Sequence, residues 1–330
     1  MRRVYDGFAA PLIGAALAMM VGLIAQPAEA QGGRDDSLIS GEPRGAGESM
    51  SCRDAATSQR RLQIAGGQDA RVEDFPFMVQ VRVGGGLCGG SMIAPGFIMT
   101  AAHCVMPPPG ARACRPDGPG KCALADPASI QVVRPGPDGR ATGETAGATR
   151  VFAHPGFRYP TGPRDLGALD ADVALIRLDR VFEERGGDYV SVSDAAFDQS
   201  FTKGEECARV AGWGLTHVRD SRLRIVTEGP KTDKLQALNL ALQSKERCAT
   251  RYPGEISDNM LCAGDGVEGF NTCQGDSGGP LVMDVGGPVQ VGVVSWAYGC
   301  AQAEHFTIFA RVGARAVREW IDGVMSGRGG

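Results

Sequence analysis

The sequence predicts an all-β fold of the sandwich or barrel kind, ended by one short C-terminal helix. Short apolar runs alternate with glycine-rich and polar turns along most of the chain, the texture of sheets built from hairpins. Helical spacing of apolar residues is almost absent until Val312, Val317, Trp320, Ile321 and Val324 recur near the end. The β-type runs are, in order, residues 77–83, 91–94, 96–101, 130–133, 173–178, 209–212, 235–242, 280–283 and 289–296. Residues 106 to about 147 read mainly as loop, with Pro107-Pro108-Pro109 and many glycines.

The first thirty residues read as an export signal. Arg2 and Arg3 lead an apolar stretch over 8–24, which ends in Ala28-Glu29-Ala30, the small-x-small pattern that signal peptidase accepts. Cleavage is expected after Ala30, leaving the protein secreted or periplasmic. The other reading is a membrane anchor, and the Ala-Glu-Ala site with the polar sequence after it favours cleavage. No later segment reaches the roughly 18 apolar residues of a spanning helix, so no stable span is expected after signal removal. Residues 31–63 are rich in glycine, serine and charge and cannot bury enough surface to fold alone, so they read as a pro-segment.

A net charge of −4, with both signs spread along the chain, offers no basis for binding nucleic acid or an anionic membrane. The ten cysteines contain no C-x-x-C pair, which disfavours zinc ribbons and thioredoxin-like redox motifs. An even count in an exported chain favours disulfides. No cofactor or metal is expected, because the chain lacks a GxGxxG at a strand–helix junction, a P-loop and an HExxH motif.

Three local motifs carry chemistry. Ser277 lies in Gly275-Asp276-Ser277-Gly278-Gly279-Pro280, where glycines permit a tight turn that aims the amides of Gly275 and Ser277 at one point. Two such donors would form an oxyanion hole, worth about 3–4 kcal/mol each. A plain glycine turn is the bland reading. The nucleophile elbow of α/β-hydrolases, and so an esterase, is disfavoured because a strand-like run follows the serine. His103, among the small residues of Thr100-Ala101-Ala102-His103-Cys104, suits a general base that must serve two partners. Asp172 leads the apolar run Val173-Ala174-Leu175-Ile176, where a buried carboxylate needs a partner such as an imidazolium. Asp170 competes for that role, and a turn-capping aspartate suits it better.

Together these motifs, in the order His, Asp, Ser, resemble those of the trypsin/chymotrypsin family of serine proteases. Ala211-Gly212-Trp213-Gly214, Val294-Ser295-Trp296 and the helix around Trp320 fit as well. The resemblance implies a protease domain over 64–330, with two antiparallel six-stranded β-barrels and the triad His103, Asp172 and Ser277 between them. It implies protein or peptide substrates and places Ser295 beside the aspartate. It pairs Cys88 with Cys104, Cys248 with Cys262, and Cys273 with Cys300. Cys114 and Cys122 lie close in one loop and suit a local bridge. Cys207 lacks its usual family partner, since Met283 stands there, and Cys52 is the cysteine left to pair with it.

Ile64-Ala65-Gly66-Gly67 resembles the family's new N-terminus, whose freed amine pairs with the aspartate before the serine, here Asp276. The chain departs from the pattern because Gln63, not Arg or Lys, precedes Ile64. An activating protease would cut after Arg61, with trimming of Leu62-Gln63, or cut after Gln63 itself. The pocket departs too. Asn271 stands where trypsins carry the aspartate that attracts Arg or Lys, and Ala297 and Thr307 stand at glycine positions. The pocket, with Thr272, Ser295 and Trp296 also on its walls, is expected to take small, uncharged or polar side chains. A catalytically silent relative acting as a binding module is the rival reading, supported by Gln63 and opposed by the complete set His103, Asp172, Asp276 and Ser277.

Overall fold

The computed structural model describes residue 52 and residues 68–106, 123–159, 169–200, 206–220, 225–264, 272–298 and 305–328, with backbone alone over 216–231. The expectations for the signal segment, Ile64, Cys114, Cys122, Asn271 and Cys300 lie outside the described residues. Strands β1 (Gln68–Asp69), β2 (Met78–Val83), β3 (Gly86–Ala94), β4 (Phe97–Thr100), β5 (Ile130–Val133), β6 (Thr145–Ala153) and β7 (Ala174–Leu178) come first. All but β1 join antiparallel in the order β2-β3-β4-β7-β6-β5, and β5 closes the ring on β2. Alternation explains the closure: in β5, Ile130 and Val132 are buried while Gln131 between them is exposed.

The later strands are β8 (Ser191–Val192), β9 (Cys207–Gly212), β10 (Leu215–Asp220), β11 (Ile225–Lys231), β12 (Gln236–Ala241), β13 (Met260–Ala263), β14 (Pro280–Asp284), β15 (Pro288–Trp296) and β16 (Thr307–Arg311). A second sheet runs β1-β12-β9-β14-β15-β16-β13. It curls until Leu242, just past β12, bridges Ala263 in β13, so six of its strands wrap around a core of Leu238, Leu240, Leu281, Val291 and Phe309. The short β1 and the parallel β8 are additions to the expected six, and β10 and β11 form a separate hairpin.

Helices α1 (Ala102–Val105), α2 (Ala195–Ser200) and α3 (Lys245–Arg251) are short, and α4 (Arg315–Met325) ends the fold. In α4 the buried Val317, Ile321 and Val324 recur on one face and join a core that holds residues of both barrels, among them Ile98 and Leu175 of the first and Val293 and Ala310 of the second. No helix among the described residues is long and apolar enough to cross a membrane.

The region read mainly as loop contains the start of β6, whose polar and small residues hide its period. Three disulfides are described, Cys88–Cys104, Cys248–Cys262 and Cys52–Cys207. Cys273 is also disulfide-bonded.

Candidate active site

His103 sits in α1, one turn that leaves the end of β4. Ala102 and Val105 are buried beneath it, and Cys104 is tied to Cys88 on β3. The turn is therefore held from below while the imidazole faces the cleft, its side chain 22% exposed. Asp172 stands just before β7 and is fully buried. Its Oδ2 lies 2.7 Å from His103 Nδ1 and accepts a hydrogen bond from Ser295 Oγ at 2.5 Å, while its Oδ1 accepts from the His103 amide at 2.9 Å. Three donors thus satisfy a carboxylate that would otherwise be costly to bury.

This arrangement assigns the proton of a neutral imidazole to Nδ1 and leaves the lone pair of Nε2 toward the cleft. Burial is the largest influence on His103 and lowers its pKa. The charge of Asp172 and the hydrogen bond to it together outweigh burial, so the pKa stands above the ordinary histidine value.

Ser277 comes from the loop before β14 in the second barrel. The amides of Asp276, Gly278 and Gly279 donate to Cys273, Val294 and Asp276 carbonyls at 3.0, 2.8 and 2.9 Å. The amides of Gly275 and Ser277 in the same loop donate to no acceptor among the described residues. Gly275 has φ +100° and Gly278 has φ +81°, and a Cβ at Gly278 would stand 2.2 Å from Thr100 Oγ1. The first barrel reaches across to this loop, where the Gly89 amide on β3 donates to the Ser277 carbonyl at 2.8 Å. Among the described residues, no hydrogen bond joins Ser277 Oγ to His103 Nε2. Such bonds often tighten only when substrate binds.

Asp276 is buried under the same loop. It accepts from the amides of Gly214 at 2.8 Å and Cys273 at 2.9 Å, and no cation pairs with it among the described residues. Burial dominates over these two amides and pushes its pKa up to about 6. The sequence Gly212-Trp213-Gly214 accommodates it: a Cβ at Gly212 would stand 2.2 Å from Asp276 Oδ1, and one at Gly214 would stand 2.4 Å from Oδ2.

A cavity of about 210 Å³ opens beside Ser277, walled by Thr272, Cys273, Gln274, Val294, Ser295, Trp296 and Ala297. None of these side chains carries a charge. Thr307, expected on the wall, is fully buried and absent from the lining. Its Oγ1 lies 2.9 Å from Thr272 Oγ1, so it backs the wall that Thr272 forms. The resemblance implied a place for Thr307 on the pocket wall but carried no information about its depth. Gln274 and Val294 were not expected on the pocket wall; Val294 was legible only as part of the Val294-Ser295-Trp296 stretch.

Two of the other histidines are engaged elsewhere. His154 accepts from the Gly156 amide and stacks edge-on against Trp320, and His305 lies 2.6 Å from an Arg251 nitrogen. Cys88, His103 and Cys104 bring three potential ligand atoms together, but the two sulfurs are joined to each other and are not thiolates.

The Trypsin family model matches residues 64–321. A trypsin of Saccharopolyspora erythraea is 32% identical over 259 residues, covering 76% of this chain and 94% of that protein. A trypsin of Squalus acanthias is 32% identical over 256 residues, covering 76% of this chain and 91% of its own. Trypsin 5G1 of Aedes aegypti is 31% identical over 270 residues, covering 78% and 84%.

Proposed function

The chain belongs to the trypsin family and is a serine endopeptidase, and from that premise we propose that it is an exported zymogen cutting after small, uncharged or polar residues. His103, Asp172 and Ser277 act as the triad. His103 Nε2 removes the proton from Ser277 Oγ, which attacks the substrate carbonyl carbon. The amides of Gly275 and Ser277 receive the negative oxygen, and Asp172 stabilises the imidazolium. The imidazolium then gives its proton to the leaving amine. Water, deprotonated by the same nitrogen, hydrolyses the acyl-enzyme. The observation that carries this reading is that the amides of Gly275 and Ser277 donate to no acceptor among the described residues, while those of Asp276, Gly278 and Gly279 beside them are bonded.

The substrate preference is supported by the uncharged side chains of the described cavity wall and by Ala297, which adds a methyl group to it. Profiling of the activated enzyme on a peptide library is expected to rank Ala, Val, Ser or Thr before the cut above Arg and Lys. Faster cleavage after Arg would overturn the preference. Ala297→Gly is expected to raise cleavage after larger apolar residues roughly tenfold, the scale of one or two methylenes of pocket space.

Activation is proposed to occur by a cut after Arg61 or Gln63, with the amine of Ile64 pairing with Asp276. Residues 1–30 direct export and are removed after Ala30, leaving the protein secreted or periplasmic. Cys52 lies before either cut and Cys207 well after it, and the two are joined. The pro-segment should therefore stay attached to the cleaved enzyme. On a denaturing gel of activated protein, the N-terminal piece is expected to separate only after reduction, whereas Cys52→Ser should release it without reductant. A wild-type piece that separates without reductant would refute the tether.

A further inference from the structure

We propose that Asp170 is a positioning residue, strapping the turn that carries Asp172 to the second barrel. The turn is conformationally unusual. Leu169 has φ 59° and Ala171 has φ 48°, the left-handed region that residues with a Cβ rarely adopt, and Asp170 lies between them. Such a backbone persists only where its surroundings hold it.

The restraints are on the page. Asp170 Oδ1 accepts from the Ala171 amide at 3.0 Å and from Ser257 Oγ at 2.5 Å, and Oδ2 accepts from Asn259 Nδ2 at 3.1 Å. A turn that merely capped itself would need the first bond alone. The other two reach residues far along the chain, just before β13. Their anchor is itself fixed, since the Asn259 amide donates to Ser257 Oγ at 3.1 Å and the Asn259 carbonyl accepts from the Arg311 amide at 2.8 Å. On the near side, the Leu169 amide donates to the Arg158 carbonyl at 2.9 Å, and the Val173 amide to the Ala171 carbonyl at 2.7 Å.

Two residues after Asp170, the Asp172 carboxylate is held between donors from both barrels, His103 in the first and Ser295 in the second. A rotation at residues 169–171 moves that carboxylate relative to both. A strap from this turn to the second barrel fixes the register that the Asp172 bonds require. The inference rests on the proposed role of Asp172 in orienting His103.

The test compares activated, active-site-titrated variants. Asp170→Ala is expected to lower kcat roughly tenfold to a hundredfold, the scale of a small misplacement of a reacting group. KM should change little, and the acid limb of the kcat profile should move to lower pH as His103 loses part of its contact with Asp172. Asp170→Asn keeps an oxygen for Ser257 and Ala171, while the Asn259 amide can turn over, so it should retain most of the wild-type kcat. The double variant Ser257→Ala/Asn259→Ala leaves Asp170 in place and should reproduce the kcat loss and the shifted limb. It decides the matter if Asp170→Ala does not fold. Wild-type kcat and an unmoved acid limb in the folded variants would overturn the strap. Asp170→Asn as impaired as Asp170→Ala would overturn it too, in favour of a charge effect. Asp172→Asn, run alongside, is expected to lose about 10⁴ in kcat. Full activity there would refute the triad itself, a failure distinct from failure of the strap.

Discussion

Ser277→Ala in the activated enzyme is expected to lower kcat by about six orders of magnitude while leaving substrate binding nearly unchanged. The side chain supplies the nucleophile, and nothing else in the described cleft can replace it. His103 Nε2 has its lone pair toward the cleft but no bond to make with a methyl group. The loop backbone should be preserved, because its shape is set by the glycines and by the Gly278 and Gly279 amide bonds. The residual rate should still exceed that of the uncatalysed reaction, because the amides of Gly275 and Ser277 remain to stabilise an oxyanion. Steady-state kinetics on a peptide substrate, with binding measured separately, check both parts. A variant within a hundredfold of wild type would show that Ser277 is not the nucleophile.

The second large effect concerns Asp276 and runs in opposite directions before and after activation. In the uncleaved chain its pKa stands at about 6, above the ordinary 3.8, because burial disfavours the charge. The folded chain therefore takes up a proton below about pH 6, whereas the unfolded chain does so only near pH 4. The sign is unfavourable to the charged form: stability falls as pH rises from about 4 to 6, and the loss, on the order of 3 kcal/mol, persists above that range. Thermal unfolding of the uncleaved chain in the Ser277→Ala background, from pH 4 to 8, should show this fall. Asp276→Asn, which does not titrate, should flatten it. Pairing with a freed amine would reverse the sign by stabilising the carboxylate. In the cleaved enzyme, Asp276→Asn is therefore expected to cost about 10²–10⁴ in activity, the scale of a buried ion pair that loses one partner. Parallel stability profiles for the two uncleaved proteins would show that the buried charge does not matter.

The parts of this protein legible in sequence are those whose chemistry is local. His103, Asp172 and Ser277 each stand in a short stretch whose neighbours already imply a special environment, and the strand runs of both barrels show in apolar patches such as Ile130–Val133. β6, β13 and β16 were not legible. β6 mixes small and polar residues; β13 and β16 are brief, yet no briefer than β5, so length alone does not separate them from the legible strands. Helices α2 and α3 are similarly brief. Distance in sequence hid the rest. Thr307 lies behind Thr272 because of how β16 stacks, and the bonds from Asp170 to Ser257 and Asn259 span 87 and 89 residues. Asp170 read alone is a turn aspartate, and only the fold brings its two distant partners to it.

The docking of α4 bears on how the molecule is made. Its buried face joins a core that both barrels share, and it follows every other described element in sequence. The edge-on pair of Trp320 with His154 shows how far back along the sequence this helix reaches. Contacts of such long sequence separation slow folding and lengthen exposure to aggregation. A chain interrupted before Arg315 therefore loses part of a core common to both barrels.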